Sequence, residues 1–271
     1  MDSSWPNLVS RRDLVRELVL SELRSRSAES RLGWLWWLID PLIMMLIYWG
    51  VVVGIFGRGD HYAPYPVFVL CALLPWKHLQ SALTNAAKLL RNNEGVIKAI
   101  PFPTMVLPLA NVLSGLAYFG AGLAVLLAAA LAFGRPLGWA LLQLPALMGA
   151  QLLLVTSLSL VATSFGALIR DLSGFLTHLT RVGFYFCPTL YGVDLVRERA
   201  AAIDAPWATW LPALYMLNPF AILIEGYRRA VFYGDFLAAP YWAVLLAESA
   251  VLFAVGQRIY RYYDRRVIKF L

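Results

Sequence analysis

An all-α membrane protein that crosses the bilayer several times is the fold class that this sequence predicts. Hydrophobic residues make up 60% of its 271 residues and charged residues only 14%, against roughly 45–50% and about 25% in water-soluble domains. The apolar residues are gathered in long runs, and a helix of about 20 apolar residues crosses roughly 30 Å of hydrocarbon. Both observations exclude a soluble domain as the main body of the chain.

The first 33 residues predict an amphipathic helix at the membrane surface. Apolar residues recur there at three- and four-residue spacing, and Arg16, Glu17 and Arg24 lie elsewhere around the helix. The segment has no compact apolar run that ends in a small-residue cleavage site, so a cleaved signal peptide is not predicted. We therefore divide the chain into a cytoplasmic interface helix, residues 1–33, and a transmembrane domain, residues 34–271.

Six apolar runs are predicted to span the membrane. They cover about residues 34–56, 67–83, 105–133, 139–169, 175–193 and 241–257. Between the fifth and sixth runs, Pro206, Pro212 and Pro219 divide the apolar sequence into pieces too short to span, because proline interrupts helical hydrogen bonding. These pieces are predicted to be re-entrant or interfacial helices, and residues 194–239 to form an extracytoplasmic gate region.

The basic residues predict that both termini are cytoplasmic. Fifteen Lys and Arg residues outside the spans lie on the side of the termini, and six lie on the opposite side. Cytoplasmic loops of membrane proteins carry such an excess. The net charge of +7 is then explained by topology and by contact with anionic lipid, and a nucleic-acid partner is not predicted.

A short cytoplasmic segment, residues 84–104, interrupts the apolar sequence between the second and third spans. It reads "RNNEGVIKAIPFPT" around its centre, where a short helix is predicted to end at Pro101 and Pro103. Such a protruding helix suits contact with another protein, whereas a tight proline-rich turn is the alternative. The residues predicted to make that contact are Asn93, Glu94, Gly95, Val96 and Lys98.

Four stretches of the chain resemble the membrane subunits of polysaccharide-exporting ABC transporters. They are "RSRSAESRLGWLWWLIDPLIMMLIYWGVVVGIF", "NNEGVIKAIPFPTMVLPLANVL", "IRDLSGFLTHLTRVGFYFCPTLY" and "LNPFAILIEGYRRAVF". They occur in the family's order and are distributed along the chain from residue 24 to residue 232. The "RLGWLW" form is most similar to the O-antigen and teichoic-acid export branch.

The resemblance implies a half-transporter in the bacterial inner membrane. The family works as two six-span subunits with two copies of a cytosolic ABC ATPase, and it exports a glycan linked to a lipid such as undecaprenyl diphosphate. The sequence contains no G-x-x-x-x-G-K-[ST] phosphate-binding loop. We therefore expect no cofactor in this chain, with ATP and magnesium held by the partner ATPase, and a homodimer with one pore between its subunits.

The resemblance also suggests which side chains contact the glycan, because the first and fifth spans line the pore in this family. Aromatic rings present flat faces to the C–H patches of sugars and offer large contact area at small entropic cost. An interfacial or lipid-facing position is the alternative for each ring. The candidates are Trp37, Tyr48, Trp49, Phe184, Tyr185 and Tyr191.

Charged residues suggest where the lipid diphosphate is recognised. Arg24, Arg26 and Arg31 lie where the headgroup would arrive, and guanidinium groups match phosphate oxygens. Ionisable residues also fall within or near the spans, where charge is costly and generally faces a cavity or a partner; they are Asp40, Lys77, His78, His178 and Arg181. The two histidines are predicted to make buried hydrogen bonds, because neither has a partner at metal-ligand spacing.

Other function classes fit the sequence less well. A membrane glycosyltransferase would need clustered carboxylates or histidines, and no such cluster is evident, so neither a catalytic nor a metal site is predicted. A secondary transporter often shows two repeated halves with broken helices, and no persuasive repeat is found. A teichoic acid or capsular polysaccharide exporter, or a drug- or lipid-exporting permease of the same superfamily, remains an alternative.

Overall fold

The computed structural model of this chain describes residues 12–28, 33–57, 60–99 and 103–267, and these residues contain helices and connecting turns but no strand. Four short 3-10 segments, each lying before a helix, are Gly33–Leu35, Asp60–Tyr62, Trp139–Gln143 and Pro206–Trp210, and π-helical turns at Gly50–Ile55 and Arg229–Tyr233 continue the helices that end at Trp49 and Arg228. The α-helices are α1 (Arg12–Ala28), α2 (Trp36–Trp49), α3 (Tyr65–Ala86), α4 (Leu89–Asn92), α5 (Glu94–Ala99), α6 (Val106–Ala132), α7 (Leu144–Leu168), α8 (Leu172–Phe186), α9 (Val193–Ala201), α10 (Leu211–Tyr215), α11 (Pro219–Arg228) and α12 (Ala239–Val267).

Five helices in the described part of the chain are long and apolar enough to cross a membrane. They are Leu38–Ile55, Tyr65–Ala86, Val106–Ala132, Trp139–Leu168 and Ala239–Tyr263. These correspond to the first four and the sixth of the predicted spans. The prediction of an all-α protein with several membrane-spanning helices is confirmed.

The fifth predicted span is shorter than the sequence suggested. Its helix, α8, has 15 residues and ends at Phe186, so it is roughly 22 Å long. Cys187 has an extended backbone conformation (ψ 159°) because it precedes Pro188, and the proline ring disfavours helical geometry in the preceding residue. The prediction that this helix continues to Val193 was therefore wrong.

The predicted breaks before the last span are present. The segments Pro206–Tyr215 and Pro219–Tyr233 meet at an angle of 70°. Asn218 separates them and caps α11, since its side-chain oxygen accepts a hydrogen bond from the Phe220 amide at 3.0 Å. Such a pair forms either a broken span or a re-entrant loop.

Helix α1 packs on the same end of the bundle as the last turns of α12. Leu14, Val15 and Leu18 lie against a cluster that includes Val106 and Tyr260. Arg16, Glu17 and Arg24 are exposed, so α1 is amphipathic as predicted. This end of the bundle also carries α4 and α5, whereas the α2–α3 connection lies at the opposite end.

Helix α3 is the centre of the bundle, with 78% of the span Tyr65–Ala86 buried. Its His78 lies with Nε2 3.2 Å from the carbonyl oxygen of Val112 and with Nδ1 2.7 Å from the side-chain nitrogen of Gln151. Tyr227 donates a 2.6 Å hydrogen bond to the other end of the Gln151 amide. These hydrogen bonds join α3 to α6, α7 and α11. They also give the buried polar groups the partners that such groups require. His78 therefore makes the predicted buried hydrogen bond, whereas His178 is exposed on α8.

Candidate functional site

A cavity of about 380 Å³, termed here the central cavity, opens between α2, α3 and α8. Within each of these helices, the residues that line the cavity are spaced so that they lie on one face of that helix. From α2 come Met44 and Tyr48, from α3 Leu73, Trp76, Lys77 and Gln80, and from α8 Arg181, Phe184 and Tyr185.

Aromatic rings form one wall of the central cavity. The buried Phe184 ring stacks on Tyr48 with ring centroids 5.7 Å apart, and it meets the edges of Trp76 and Tyr185. Gly183 permits this packing, because a Cβ atom there would lie only 3.2 Å from the Trp76 ring. Phe184 therefore contacts the other three rings of this wall.

The six predicted glycan-contacting aromatics are not all in this wall. Tyr48, Phe184 and Tyr185 line the cavity. Trp49 is exposed and is not part of the lining, and the side chain of Trp37 lies outside the described residues. Tyr191 lies beyond the end of α8, where its hydroxyl group is 3.1 Å from both the Tyr185 carbonyl oxygen and the Tyr215 hydroxyl oxygen.

Charged and polar groups complete the cavity. Lys77 forms an ion pair with Asp40 of α2, and the two side chains are 38% and 34% exposed. Arg181 is exposed, and Gln80 lies one helical turn from Lys77. The cavity therefore combines aromatic faces with two cationic side chains, one of which already has an anionic partner.

Helix α8 exposes two different faces. His178, Arg181 and Tyr185 form a polar and aromatic stripe that continues the central cavity along the helix. An exposed apolar stripe lies beside it and consists of Phe175, Leu179, Val182 and Phe186. A helix within the membrane seldom presents charge to lipid, so the polar stripe indicates a water-filled or protein-covered face.

The segment between α3 and α6 has the predicted short helix, α5, preceded by the single turn of α4. The Asn93 side chain donates to the Leu89 carbonyl at 2.8 Å, and Lys98 pairs with Glu94 at 2.5 Å. Ile97 is buried with Leu90 and Leu107. Gly95 and Val96 are exposed, so α5 is anchored on one side and open on the other.

Arg91 connects this segment to the start of α8. Its guanidinium donates to the carbonyl oxygens of Ile169 and Arg170 at 3.2 and 3.1 Å. These two carbonyl groups lie just after the C-terminal end of α7. A cation is favourable at this position because the C-terminal end of a helix dipole is negative. The turn that they belong to leads directly into α8.

Comparison with known proteins agrees with this architecture. The chain is 27% identical over 247 residues to the O-antigen export system permease protein RfbA of Myxococcus xanthus, covering 90% of each chain. It is 27% identical over 250 residues to the RfbA permease of Klebsiella pneumoniae, covering 92% of this chain and 91% of that protein. The chain is a homologue of O-antigen export permeases. A third relative, the polysialic acid transport protein KpsM of Escherichia coli, is 31% identical over 87 residues, or about a third of each chain. No family model matches the sequence.

Three arginines were predicted to bind the lipid headgroup, and the structure describes the side chain of only one of them. Arg24 lies on the exposed face of α1, beside Glu17 and Ser21 in a shallow groove. Arg31 and the side chain of Arg26 lie outside the described residues. A role for all three in binding a lipid diphosphate stays a prediction.

Sequence reasoning missed several residues of the site. Trp76 and Gln80 were not selected, although Leu73, Lys77 and Gln80 follow the spacing of one helical face. Arg91 was counted only as a cytoplasmic charge. Its carbonyl partners are almost 80 residues away in the chain, so no local pattern signals the contact.

Proposed function

We propose that this chain is the membrane-spanning subunit of an ATP-driven exporter of lipid-linked polysaccharide. The relatives are permeases of polysaccharide export, and the central cavity supplies the observation that carries the proposal. It offers the aromatic faces of Tyr48, Phe184 and Tyr185 together with the cationic groups of Lys77 and Arg181. Aromatic faces suit a sliding sugar chain, and the cations suit the diphosphate that joins it to lipid.

The pore forms between two copies of the chain. Only 6% of the span Leu38–Ile55 is buried within one copy, against 78% of Tyr65–Ala86. A second copy related by a two-fold axis would cover part of α2 and bring two central cavities to face each other. The polar stripe of α8 would then line the space between them.

Energy comes from a separate cytosolic ABC ATPase, two copies of which bind the dimer and hold ATP and magnesium. The exposed face of α5, with Gly95 and Val96, is the contact surface. Arg24, Arg26 and Arg31 receive the lipid diphosphate at the cytoplasmic surface of the inner membrane, before it reaches Lys77. Both termini are cytoplasmic in this arrangement.

Site-specific crosslinking tests the path. A photoreactive benzoyl group introduced in place of Tyr185 is expected to capture glycan in cells that export it, because this ring lines the central cavity. The matched control is Trp49, an exposed aromatic of the neighbouring helix outside the cavity lining. Capture of lipid alone at Tyr185, or of equal glycan at both positions, would place the path elsewhere.

Arg91 provides a test of coupling. Arg91→Ala is expected to lower export about tenfold while the bound ATPase continues to turn over ATP, because α4 and α5 then lose their link to the turn before α8. The fold should survive, since a cation at a helix C-terminus contributes only about 0.3–1 kcal/mol at an exposed site. Export of glycan and ATP turnover are measured on the same membranes.

The control for this variant is Lys88→Ala, an exposed cation of the same segment. It should leave export and ATP turnover unchanged. Normal export by Arg91→Ala would show that the Arg91 contact plays no part in transmission.

A lipid-exporting permease is the second candidate, and one feature favours it. A cleft of about 600 Å³ between α3, α7, α8 and α11 is lined by apolar side chains apart from Thr180, as an acyl or prenyl chain requires. The same crosslinking experiment separates the two functions, since lipid export predicts no glycan at Tyr185.

A further inference from the structure

A second cavity, of about 600 Å³, lies at the end of the bundle opposite α5. It is termed here the outer cavity. It is formed where the α2–α3 connection, α9, the end of α11 and the start of α12 meet, and the function proposed above does not use it. Its walls carry charged groups from α9 and α11 and aromatic groups from the turns around them.

The charged groups of the outer cavity are already held in place. Asp194 lies 3.0 Å from both His61 Nε2 and the Tyr62 hydroxyl oxygen. Arg229 donates to Glu225 at 2.9 Å, and Arg197 donates to the Tyr241 hydroxyl at 3.1 Å. Such a prearranged set loses little freedom when a ligand binds.

Tyr62 contributes to this order. The Gly192 amide donates to its hydroxyl oxygen at 3.0 Å, so the hydroxyl proton points to Asp194. Burial raises the pKa of Tyr62 well above its usual value. The hydroxyl therefore stays protonated and donates to Asp194 at any physiological pH.

The charges select a class of ligand. Two carboxylates, Asp194 and Glu225, are set beside two guanidinium groups, Arg197 and Arg229. A strongly anionic or cationic ligand would meet groups of its own sign, and an apolar chain would have to desolvate four charges. A neutral ligand rich in hydroxyl groups can donate to the carboxylates and accept from the guanidinium groups.

Aromatic rings complete the pattern. Tyr233 and Phe236 lie in the lining beside Arg229, and both are exposed. Flat rings next to paired charged groups match the two kinds of surface on a sugar, its C–H faces and its hydroxyl edges. The volume is large enough to enclose a small ligand.

We infer that the outer cavity binds saccharide, and specifically a short segment of the glycan chain as it leaves the pore. This inference rests on the proposed export function. The turn from Cys187 to Gly192 lies between the two cavities, since Phe184 and Tyr185 before it line the central cavity and Val193 and Asp194 after it line the outer one. On this inference, a glycan chain that leaves the central cavity past this turn reaches the outer cavity next.

Crosslinking at Phe236 tests the inference in cells that make the exported glycan. A photoreactive benzoyl group in place of Phe236, which is 57% exposed, is compared with one in place of Trp207, which is 60% exposed but is not part of the lining. We expect a ladder of adducts at Phe236 that periodate shortens, because periodate cleaves sugar diols, and none at Trp207. The same photoreactive group in place of Tyr185 tests whether glycan passes through the central cavity.

Each outcome decides between the claims. Capture at Tyr185 without capture at Phe236 would overturn the outer site and leave the export function standing. No glycan at either position would remove the export function together with the site. Equal capture at Phe236 and Trp207, or capture that persists in cells unable to make the exported glycan, would also overturn the inference.

A pair of arginine variants gives a second readout. Arg197→Ala is expected to lower capture at Phe236 about tenfold, the loss expected for one hydrogen bond to a charged group, and to leave capture at Tyr185 unchanged. Arg199→Ala removes an exposed arginine of the same helix that is not part of the lining, and it should change neither. Equal effects of the two variants would contradict a site at Arg197.

Discussion

A Lys77→Met variant is expected to lose at least about nine-tenths of its export activity and to unfold more easily than the parent chain. The substitution removes the partner of Asp40, whose carboxylate then lies in a membrane span without its ion pair. Breaking a fully buried pair costs about 3–5 kcal/mol. Because both side chains here are about a third exposed, we expect a loss of about 1–3 kcal/mol. Thermal unfolding in detergent and export in cells measure the two effects.

Two further variants separate the structural role of Lys77 from a role in export. Asp40→Asn with Lys77→Met removes both charges, so it should recover most of the stability. It should not recover export if Lys77 binds the diphosphate of the substrate. Asp40→Asn alone keeps the cation and should export well. Full export by the double variant would show that the pair only joins α2 to α3.

Much of the fold could be predicted because hydropathy is a local property. The five helices long enough to span correspond to predicted runs, and α5 lies where the sequence before Pro101 and Pro103 suggested. The early end of α8 was also readable, since Pro188 restricts the residue before it. The length and composition of the apolar run were given more weight than Pro188, so the predicted span continued to Val193.

The site was harder to predict because it depends on which helical faces meet. Tyr48, Phe184 and Tyr185 were selected as aromatic members of the two spans expected to line the pore. Trp49 satisfies the same description, yet it lies outside the cavity lining. Trp76 was missed because only the first and fifth spans were expected to line the pore. Only tertiary packing shows that one edge of α3 reaches the cavity.

Counting charged residues in the sequence has a similar limit, because the count does not show which of them are buried. Arg228 is an example. From the sequence it is counted on the side opposite the termini with Arg197, Arg199 and Arg229, as a residue outside the spans. The structure buries it completely, with its guanidinium 3.6 Å from the centre of the Phe68 ring. It therefore acts within the fold and is not a surface cation.

Arg228→Met is expected to be the most destabilising single change of a polar residue in the region between α8 and α12. Its guanidinium donates to the carbonyl oxygens of Thr189 and Tyr191 at 2.8 and 2.9 Å, and more weakly to that of Phe68 at 3.4 Å. Methionine fills similar space but cannot donate to the Thr189 and Tyr191 carbonyl oxygens. An unsatisfied buried group costs about 1–3 kcal/mol, so the two short bonds together predict a loss of about 2–6 kcal/mol.

The neighbouring Arg229 supplies the matched control, because it differs from Arg228 chiefly in its surroundings. Its side chain is 40% exposed and pairs with Glu225, and exposed ion pairs contribute about 0–1 kcal/mol. Unfolding midpoints in detergent should therefore fall much further for Arg228→Met than for Arg229→Met. Proteolysis between Cys187 and Gly192 should accelerate only in Arg228→Met, since that turn loses its donors. Arg228→Lys should recover little, because one ammonium group cannot reproduce the planar fork that reaches both carbonyls. Equal destabilisation by the two methionine variants would mean that α11 is held by its apolar contacts, and that Arg228 does not join it to the turn between the two cavities.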